Sequence, residues 1–306
     1  MIKRKELCHI FEGVNSNVNG DPNNDNRPRM DEETGYQYVS QFRPKRTIRD
    51  YIRLLYVLNR EETNQILYRK EFDENRKLKD LNNLLKSEAN SDLNEVLAKF
   101  IDVRLFGGLV GNKQKIQELE GPVQFSWGKS YHKVKEMEVG LSTVMPSSGK
   151  EDAEQGSLGK QFITPYSLIG VDATVNEFNG LRTTVTEEDI DLMLKALWDG
   201  TNNLKTTSKN QKSLFLALVE YKEGKLKYIG ELKSYFKLVS QLDDLEIRST
   251  KDYFIEVNDF VEKINSLSTD IERVIIKKDN SLTLKFNGED FDWTEVLNVP
   301  VEEEIV

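Results

Sequence analysis

The sequence predicts an α+β fold of the split β-α-β, ferredoxin-like kind, and three observations carry that reading. A strand-like segment at 5–14 (KELCHIFEGV) precedes an amphipathic helical stretch that opens near Pro44, a second helix opens at Thr186, and short strand-like runs lie between and after the helices. Taken in order these give strand, helix, strand, strand, helix, strand, which places an antiparallel sheet on one side and two helices on the other.

The first strand runs into the Asn/Gly/Pro-rich stretch 15–28, which must be loop. Pro44 suits a first helical turn, and Ile48, Tyr51, Ile52, Leu55 and Leu58 recur at helical spacing as one buried face. Residues 61–99 are rich in Lys and Glu with scattered apolar positions (Leu78, Leu81, Leu84, Leu85, Leu93, Val96, Leu97), a partly helical polar insertion. Strands are expected at 100–106 (FIDVRLF) and 122–130 (PVQFSWGKS), delimited by Gly107-Gly108 and Gly121-Pro122. Residues 146–161 hold no periodic apolar residues and read as the tip of a long hairpin that returns through 162–175. Thr186 with Asp189 forms a capping box, Ile190, Met193, Leu194 and Leu197 supply a face, and Gly200 is the expected stop, so the second helix should cover 187–199. Residues 213–221 and 226–230, joined by the turn KEGK, read as a strand pair. The last third predicts helices near 231–244 and 258–267 and a hairpin near 272–287.

The 306 residues suffice for one large domain or two ordinary ones. With 38% hydrophobic and 31% charged residues and no apolar run near the ~18 residues that span a bilayer, no membrane partner is expected. The basic start, Met1 to Leu7, leads into no charge-free apolar stretch, so a cytoplasmic location is expected. Cys8 is the sole cysteine, and His9 and His132 are the sole histidines, so no disulfide, structural zinc or other cofactor is expected. No GxxxxGK[ST] or GxGxxG run and no local Ser-His-Asp signature is present, and the expectation is a protein that is not an enzyme.

A net charge of −9 argues against a nucleic-acid partner until it is partitioned. From Phe286 to Val306 there are seven acids and no Lys or Arg, which leaves the remainder near neutral. Residues 43–60 hold Arg43, Lys45, Arg46, Arg49, Arg53 and Arg60 against Asp50 alone. At ~100° per residue, Arg46, Arg49, Arg53 and Arg60 fall on one helix face, opposite the apolar one. A solvated face would serve solubility better with mixed signs, so the unmixed stripe favours phosphate, which the planar guanidinium fork binds with paired hydrogen bonds. Lys205, Lys209 and Lys212, among Ser and Thr in the loop 202–212, form a second cluster, either an ordinary connection or a holder of sugar-phosphate backbone.

Other candidates have plainer readings beside them. Asp21 to Asn26, with Glu32 at the twelfth position, imitates a calcium loop but lacks the sixth-position glycine, so Asx turns are the better account. Met145, at the start of the hairpin tip, is an isolated apolar residue that could wedge between bases. Phe125 and Trp127 alternate with polar residues on a strand, where core packing is the default and base stacking the alternative.

The run NVNGDPNNDNRPRMDEETGYQYVSQFRPKRTIRDYI (17–52) closely resembles the signature of the backbone subunit of type I CRISPR Cascade complexes, in which N-P-N-G-D-P, P-R-x-D, T-G and K-R-x-I-R-D-Y follow in that order. DVRLFGG (102–108), GPVQFSWGKSYHKV (121–134) and ALWDGTNNLKTTSKNQKSLFLALVEY (196–221) resemble that family's later blocks, so the likeness spans about residues 5–230. It is nearest to the type I-B branch, with I-C next. Val18 departs from the family's proline, and the likeness is weak after 230.

The resemblance implies an RRM-like palm over 1–60, 100–140 and 164–306, a helical finger insertion at 61–99 and a thumb β-hairpin at 141–163. It implies a guide RNA held by Lys45, Arg46, Arg49 and Arg53 and by Lys205, Ser208 and Lys209, with Met145 as the base wedge. Copies would stack head to tail along the guide and present it to a target DNA strand, alongside large, small, 5′-handle cap and guide-processing endoribonuclease subunits. Relatives in type III complexes cut target RNA with an aspartate in the loop after the first strand, which makes Asp21, Asp25 and Asp31 the residues of a rival, endonuclease reading.

Overall fold

The computed structural model describes residues 1–59, 64–112, 115–142 and 158–306. Its elements are β1 (Lys5–Ser16), α1 (Phe42–Asn59), α2 (Ile101–Phe106), β2 (Val123–Phe125), β3 (Gly128–Lys133), β4 (Leu158–Val175), α3 (Glu187–Asn203), β5 (Lys209–Tyr221), β6 (Ile271–Lys278) and β7 (Val301–Ile305), with shorter pieces between them. The central sheet runs β7–β6–β5–β1–β4–β3 and ends on a short strand, Tyr36–Val39. Within it β5–β1–β4–β3 is the spatial order of a split β-α-β fold, with antiparallel neighbours, as the chain order predicts. Cys8 marks the centre, opposite Asp172 on β4 and Ala217 on β5.

Both faces of this sheet are covered. Leu7, Ala173, Val175, Leu216 and Leu218 pack beneath α1 and α3 against Ile48, Ile52, Ile190, Met193 and Leu197. The alternate residues, Cys8, Ile10, Leu168, Phe215, Ala217 and Val219, face the other way into a second core with Leu232, Phe236, Ile255, Phe260 and Trp293. The ring centroids of Phe215 and Phe236 lie 5.0 Å apart, and those of Phe236 and Phe260 4.8 Å. This C-terminal layer is built from the strands Lys237–Ser240, Tyr253–Glu256 and Leu284–Lys285 and the helix Asn258–Ser266. It explains why β5 reads SLFLALVEY, apolar at nearly every position: a strand buried on both sides loses its alternation.

Several expectations are corrected. FIDVRLF is helical, not a strand: six residues are too few to separate the two periods when both sides are buried, Ile101 and Leu105 in the core beneath α1 and α3, Val103 in a third core. That third core gathers Leu67, Leu84, Leu85, Val96, Leu97 and Phe100 with Val110 and Leu119, from helices Leu81–Ala89 and Leu93–Lys99 capped by the side chains of Asp80 and Asp92. Helix α3 carries the expected capping box but runs past Gly200, because that glycine is a contact and not a stop; a Cβ there would meet Tyr51 and Thr47 of α1 at 3.0–3.1 Å. Leu58 is exposed rather than part of the buried face of α1. Residues 226–230 are not a strand; the main-chain N–H groups of Ile229 and Gly230 donate to the buried Glu6 carboxylate at 2.6 and 2.7 Å. Residues 231–244 make a 3₁₀ turn, a strand and the start of a second 3₁₀ turn, and β6 pairs with β5 and β7 rather than folding back as a hairpin. Among the described residues no helix is long and apolar enough to cross a membrane.

The end of α2 depends on Gly107, whose φ of +72° is open to glycine and strained for other residues. A Cβ there would sit 2.0 Å from the Leu119 carbonyl oxygen and 2.4 Å from the Gly121 nitrogen, backbone atoms that cannot swing aside. Gly107→Ala should therefore lower unfolding free energy by roughly 3 kcal/mol in a denaturant titration. Gly140→Ala, with nothing within 4 Å of its Cβ, should change it by about 0.5 kcal/mol or less.

Candidate nucleic-acid interface

The cations of α1 share a helix but not an environment. Arg46 is exposed and ion-paired with Asp50 one turn on, at 2.7 Å. Arg49 is mostly covered, its Nε donating to Asp102 at 2.9 Å and its guanidinium lying 5.2 Å from the Tyr68 ring and 5.0 Å from that of Phe106. Asp102 is fully buried and also accepts the N–H groups of Leu67 (2.8 Å) and Tyr68 (3.1 Å). Arg53 is exposed, its Nη1 3.4 Å from the Lys70 carbonyl. Arg60 and Met145 lie outside the described residues.

Lys45 differs from all of these. Its ammonium is half-buried, 5.3 Å from the Phe106 ring and 3.3 Å from Gln124 Oε1, with no carboxylate in contact among the described residues. Burial, aided by the charge of Arg49, lowers its pKa to about 8.

The second loop docks on the end of β1. The Asn17 N–H donates to the Ser208 carbonyl at 2.7 Å, Lys209 Nζ donates to the Asn17 carbonyl at 2.6 Å, and Lys205 Nζ donates to Asn210 Oδ1 and the Gln211 carbonyl at 2.9 and 2.6 Å. Burial lowers the Lys209 pKa to about 8, with the Arg43 charge as second cause. Burial also lowers Lys205. Arg43 is the residue that sequence reasoning left off the stripe. Its Nη2 donates to Thr47 Oγ1 at 3.2 Å, its Nε is buried without a partner, and burial lowers its pKa. The first turn of α1 is thus flanked by two half-buried cationic spots, Arg43 with Lys209 and Lys45 beside Arg49. Cations left without counter-charge in a cover of low polarity are costly, and an anion is what would neutralise them. Lys212, by contrast, pairs with Asp279 at 2.7 Å.

Two acids of the loop after β1, Asp21 and Asp31, are engaged in holding it. Asp21 pairs with Arg29 at 3.2 Å and accepts the Asn23 N–H, and Asp31 accepts the Glu33 N–H and the Thr34 hydroxyl. Asp25 is exposed at φ +46°, and the Asx-turn reading accounts for the segment. Among the described residues no group of three or more His, Cys, Asp or Glu is placed to hold a metal ion. Phe125 and Trp127 separate: the first is 4% exposed and packs on Phe106, the second is 50% exposed beside an open groove of about 750 Å³.

Residues 3–258 match the protein family described as CRISPR-associated protein Cas7. A CRISPR-associated protein Cas7 of Haloferax volcanii is 26% identical over 318 aligned positions, which cover 94% of this chain and 90% of that one. In fold the chain is similar to one from a structure described as a CRISPR RNA-guided surveillance complex, pre-nicking (TM-score 0.58, 13% identity, 99% of this chain and 96% of the other). It is also similar to one from a CRISPR RNA-guided surveillance complex (TM-score 0.54, 14% identity, 98% and 94%). The match over most of its length makes this chain a member of the Cas7 family of CRISPR-associated proteins.

Proposed function

We propose that the chain is the guide RNA-binding backbone subunit of a type I Cascade complex, nearest to type I-B. It polymerises head to tail along the guide and offers it to a target DNA strand in antiviral defence. The large, small, 5′-handle cap and guide-processing subunits are its expected neighbours. In this reading the split β-α-β core is the palm, residues 61–99 the finger insertion and 141–163 the thumb. The observation that carries it is the pair of cationic spots at the first turn of α1: Arg43 and Lys209 on one side, Lys45 beside Arg49 on the other, three of the four without a carboxylate partner among the described residues. A sugar-phosphate backbone supplies the missing charge without asking for any base sequence. In this reading the subunit is not the catalyst: of the three acids of the rival endonuclease, Asp21 and Asp31 are committed to Arg29 and to local turns, and Asp25 stands exposed without another carboxylate set around a metal among the described residues. The assembled complex should leave complementary RNA intact in Mg²⁺, and regular cuts abolished by Asp21→Ala or Asp25→Ala would overturn this part of the reading.

Arg43→Ala with Lys209→Ala should weaken binding of single-stranded RNA about equally for all sequences. The log–log salt slope should fall by about 1.4, roughly 0.7 for each lost phosphate contact. An unchanged slope would mark the two cations as structural. Arg49→Ala behaves differently because it strands the buried Asp102 carboxylate; its unfolding free energy should drop by about 3 kcal/mol as well.

Acidity links to binding through the two depressed lysines. Lys45 and Lys209 are protonated well below pH 8 and lose the proton through about pH 8, whereas a bound phosphate holds it on. RNA affinity at fixed ionic strength should therefore fall as pH rises from 7 to 9. In a Lys45→Met, Lys209→Met chain that pH dependence should shrink to the part that Lys205 contributes. The same double variant should unfold at higher denaturant than the parent at pH 7, because it removes two charges whose protonated forms the fold disfavours.

A further inference from the structure

His9 lies on β1 beneath α1 and α3, 1% exposed, its ring 5.4 Å from that of Phe11 and 6.3 Å from that of Trp198. Burial lowers its pKa to about 3, so the imidazole is neutral and carries a single N–H. Which nitrogen holds that hydrogen follows from Ser213. The Ser213 hydroxyl donates to the Trp198 carbonyl at 3.0 Å, so its oxygen is left to accept, and His9 Nε2, 3.0 Å away, is the donor. Nδ1 therefore presents a lone pair, buried and without a partner among the described residues.

A buried acceptor in that position is costly unless something donates to it. The small cavity that His9 lines is also lined by Arg43, whose Nε–H is a buried donor without a partner among the described residues. Thr201 lines it too, with its hydroxyl hydrogen given to the Leu197 carbonyl at 2.8 Å and its oxygen left to accept. The room inside is about 10 Å³, enough for one water molecule and too little for a hydrated ion or an organic group. An acceptor and a donor on the walls of one such space complement water. A molecule there donates to Nδ1, accepts from Nε and has a second hydrogen for Thr201. We infer that one buried water joins His9 Nδ1 to Arg43 Nε, and that His9 is thereby a positioning residue for the Arg43 guanidinium. With Nε held from within and Nη2 on Thr47 Oγ1 at 3.2 Å, Nη1 is the group left for a phosphate. The inference rests on the RNA-binding reading and adds to it the device that fixes one of its cations before the strand arrives, which lowers the ordering cost of binding.

Two kinds of measurement keep the bridge and the RNA-binding reading apart. In the full chain without RNA, a high-resolution crystal structure should show water within hydrogen-bond reach of both Nδ1 and Nε. Nitrogen-15 spectra of labelled histidine should show His9, identified by its loss in His9→Asn, as the Nε2–H tautomer. A dry cavity or an Nδ1–H tautomer overturns the bridge whatever the RNA does. Mixed-sequence single-stranded RNA is then titrated into variants whose circular dichroism and unfolding midpoints show that they fold. His9→Phe keeps a ring and removes the acceptor, and it should lose about threefold to tenfold in affinity. His9→Asn, whose amide oxygen can stand in for Nδ1, should bind close to the parent. In an Arg43→Ala chain, His9→Phe should cost nothing further, because the route through Arg43 is already gone. No loss in His9→Phe, or the same loss with and without Arg43, overturns the positioning role. If Arg43→Ala binds RNA as the parent does, with the same salt slope, Arg43 leaves the phosphate site and the positioning role falls with it, while the crystal and the spectrum still decide the water.

Discussion

Burial of the central sheet on both faces is the constraint from which the rest follows. With α1 and α3 on one side and the C-terminal layer on the other, β1, β5 and the part of β4 paired with β1 have no free face on which to stack a ligand. A four-stranded domain with an open sheet can lay bases across its strands, and this one cannot. The cations without a carboxylate partner among the described residues lie instead around the end of β1, where the chain turns out at Asn17 and where the loop before β5 comes back beside it. That end is also where α1 begins. The positive end of its dipole adds to Arg43, Lys45 and Lys209.

A second constraint couples this end to the insertion between α1 and β2. Asp102, itself fully buried, gathers Arg49 from α1 and two amides from residues 67 and 68. Two residues on, Arg104 reaches the other way and grips Asp189 in a bidentate pair at 2.8 Å, the same aspartate that closes the capping box of α3. The short helix α2 is therefore a rivet between three bodies, and its two charged residues do opposite jobs on its two sides. A buried pair of this kind adds little net stability over an apolar replacement, but it penalises any arrangement that leaves one partner alone. It fixes where the third core sits, and it holds Arg49 against Phe106 and Tyr68 rather than free in solvent.

This explains what was legible. Local signals survive folding: Thr186 with Asp189 starts α3, Pro44 lies in the first turn of α1, and the alternation of strands and helices gives the split β-α-β order. Signals that depend on distant partners do not. Asp102 is 53 positions from Arg49, so the stripe of arginines looked uniform when one member was already neutralised. Gly200 resembled a stop because the α1 side chains that need its missing Cβ are far away in sequence. The last third was hardest, since its small sheet pairs Ile255 with Leu284 in parallel and its strands are two to four residues long, below what periodicity resolves. Arg43 was countable as a charge, but its half-burial and its orphaned Nε exist only once β1, α1 and the loop before β5 are assembled.

The acidic end acquires a physical account from its place at the sheet's edge. β7 pairs in parallel with β6 and presents its other side to solvent, the exposed row of backbone groups that invites a second chain. Glu302 pairs with Arg273 at 2.6 Å and Glu304 with Lys277 at 2.9 Å, while Glu303, between them, has a raised pKa from burial. Three successive carboxylates on a free edge resist the addition of another such edge, because aligned copies would bring like charges together with too few cations to neutralise them. They also concentrate negative potential on the far side of β5 and β6 from the cations of α1. A polyanion is repelled along that edge, while the cations without a carboxylate partner among the described residues gather at the starts of α1 and β5. An acidic protein can in this way bind a polyanion at one place and shed it everywhere else.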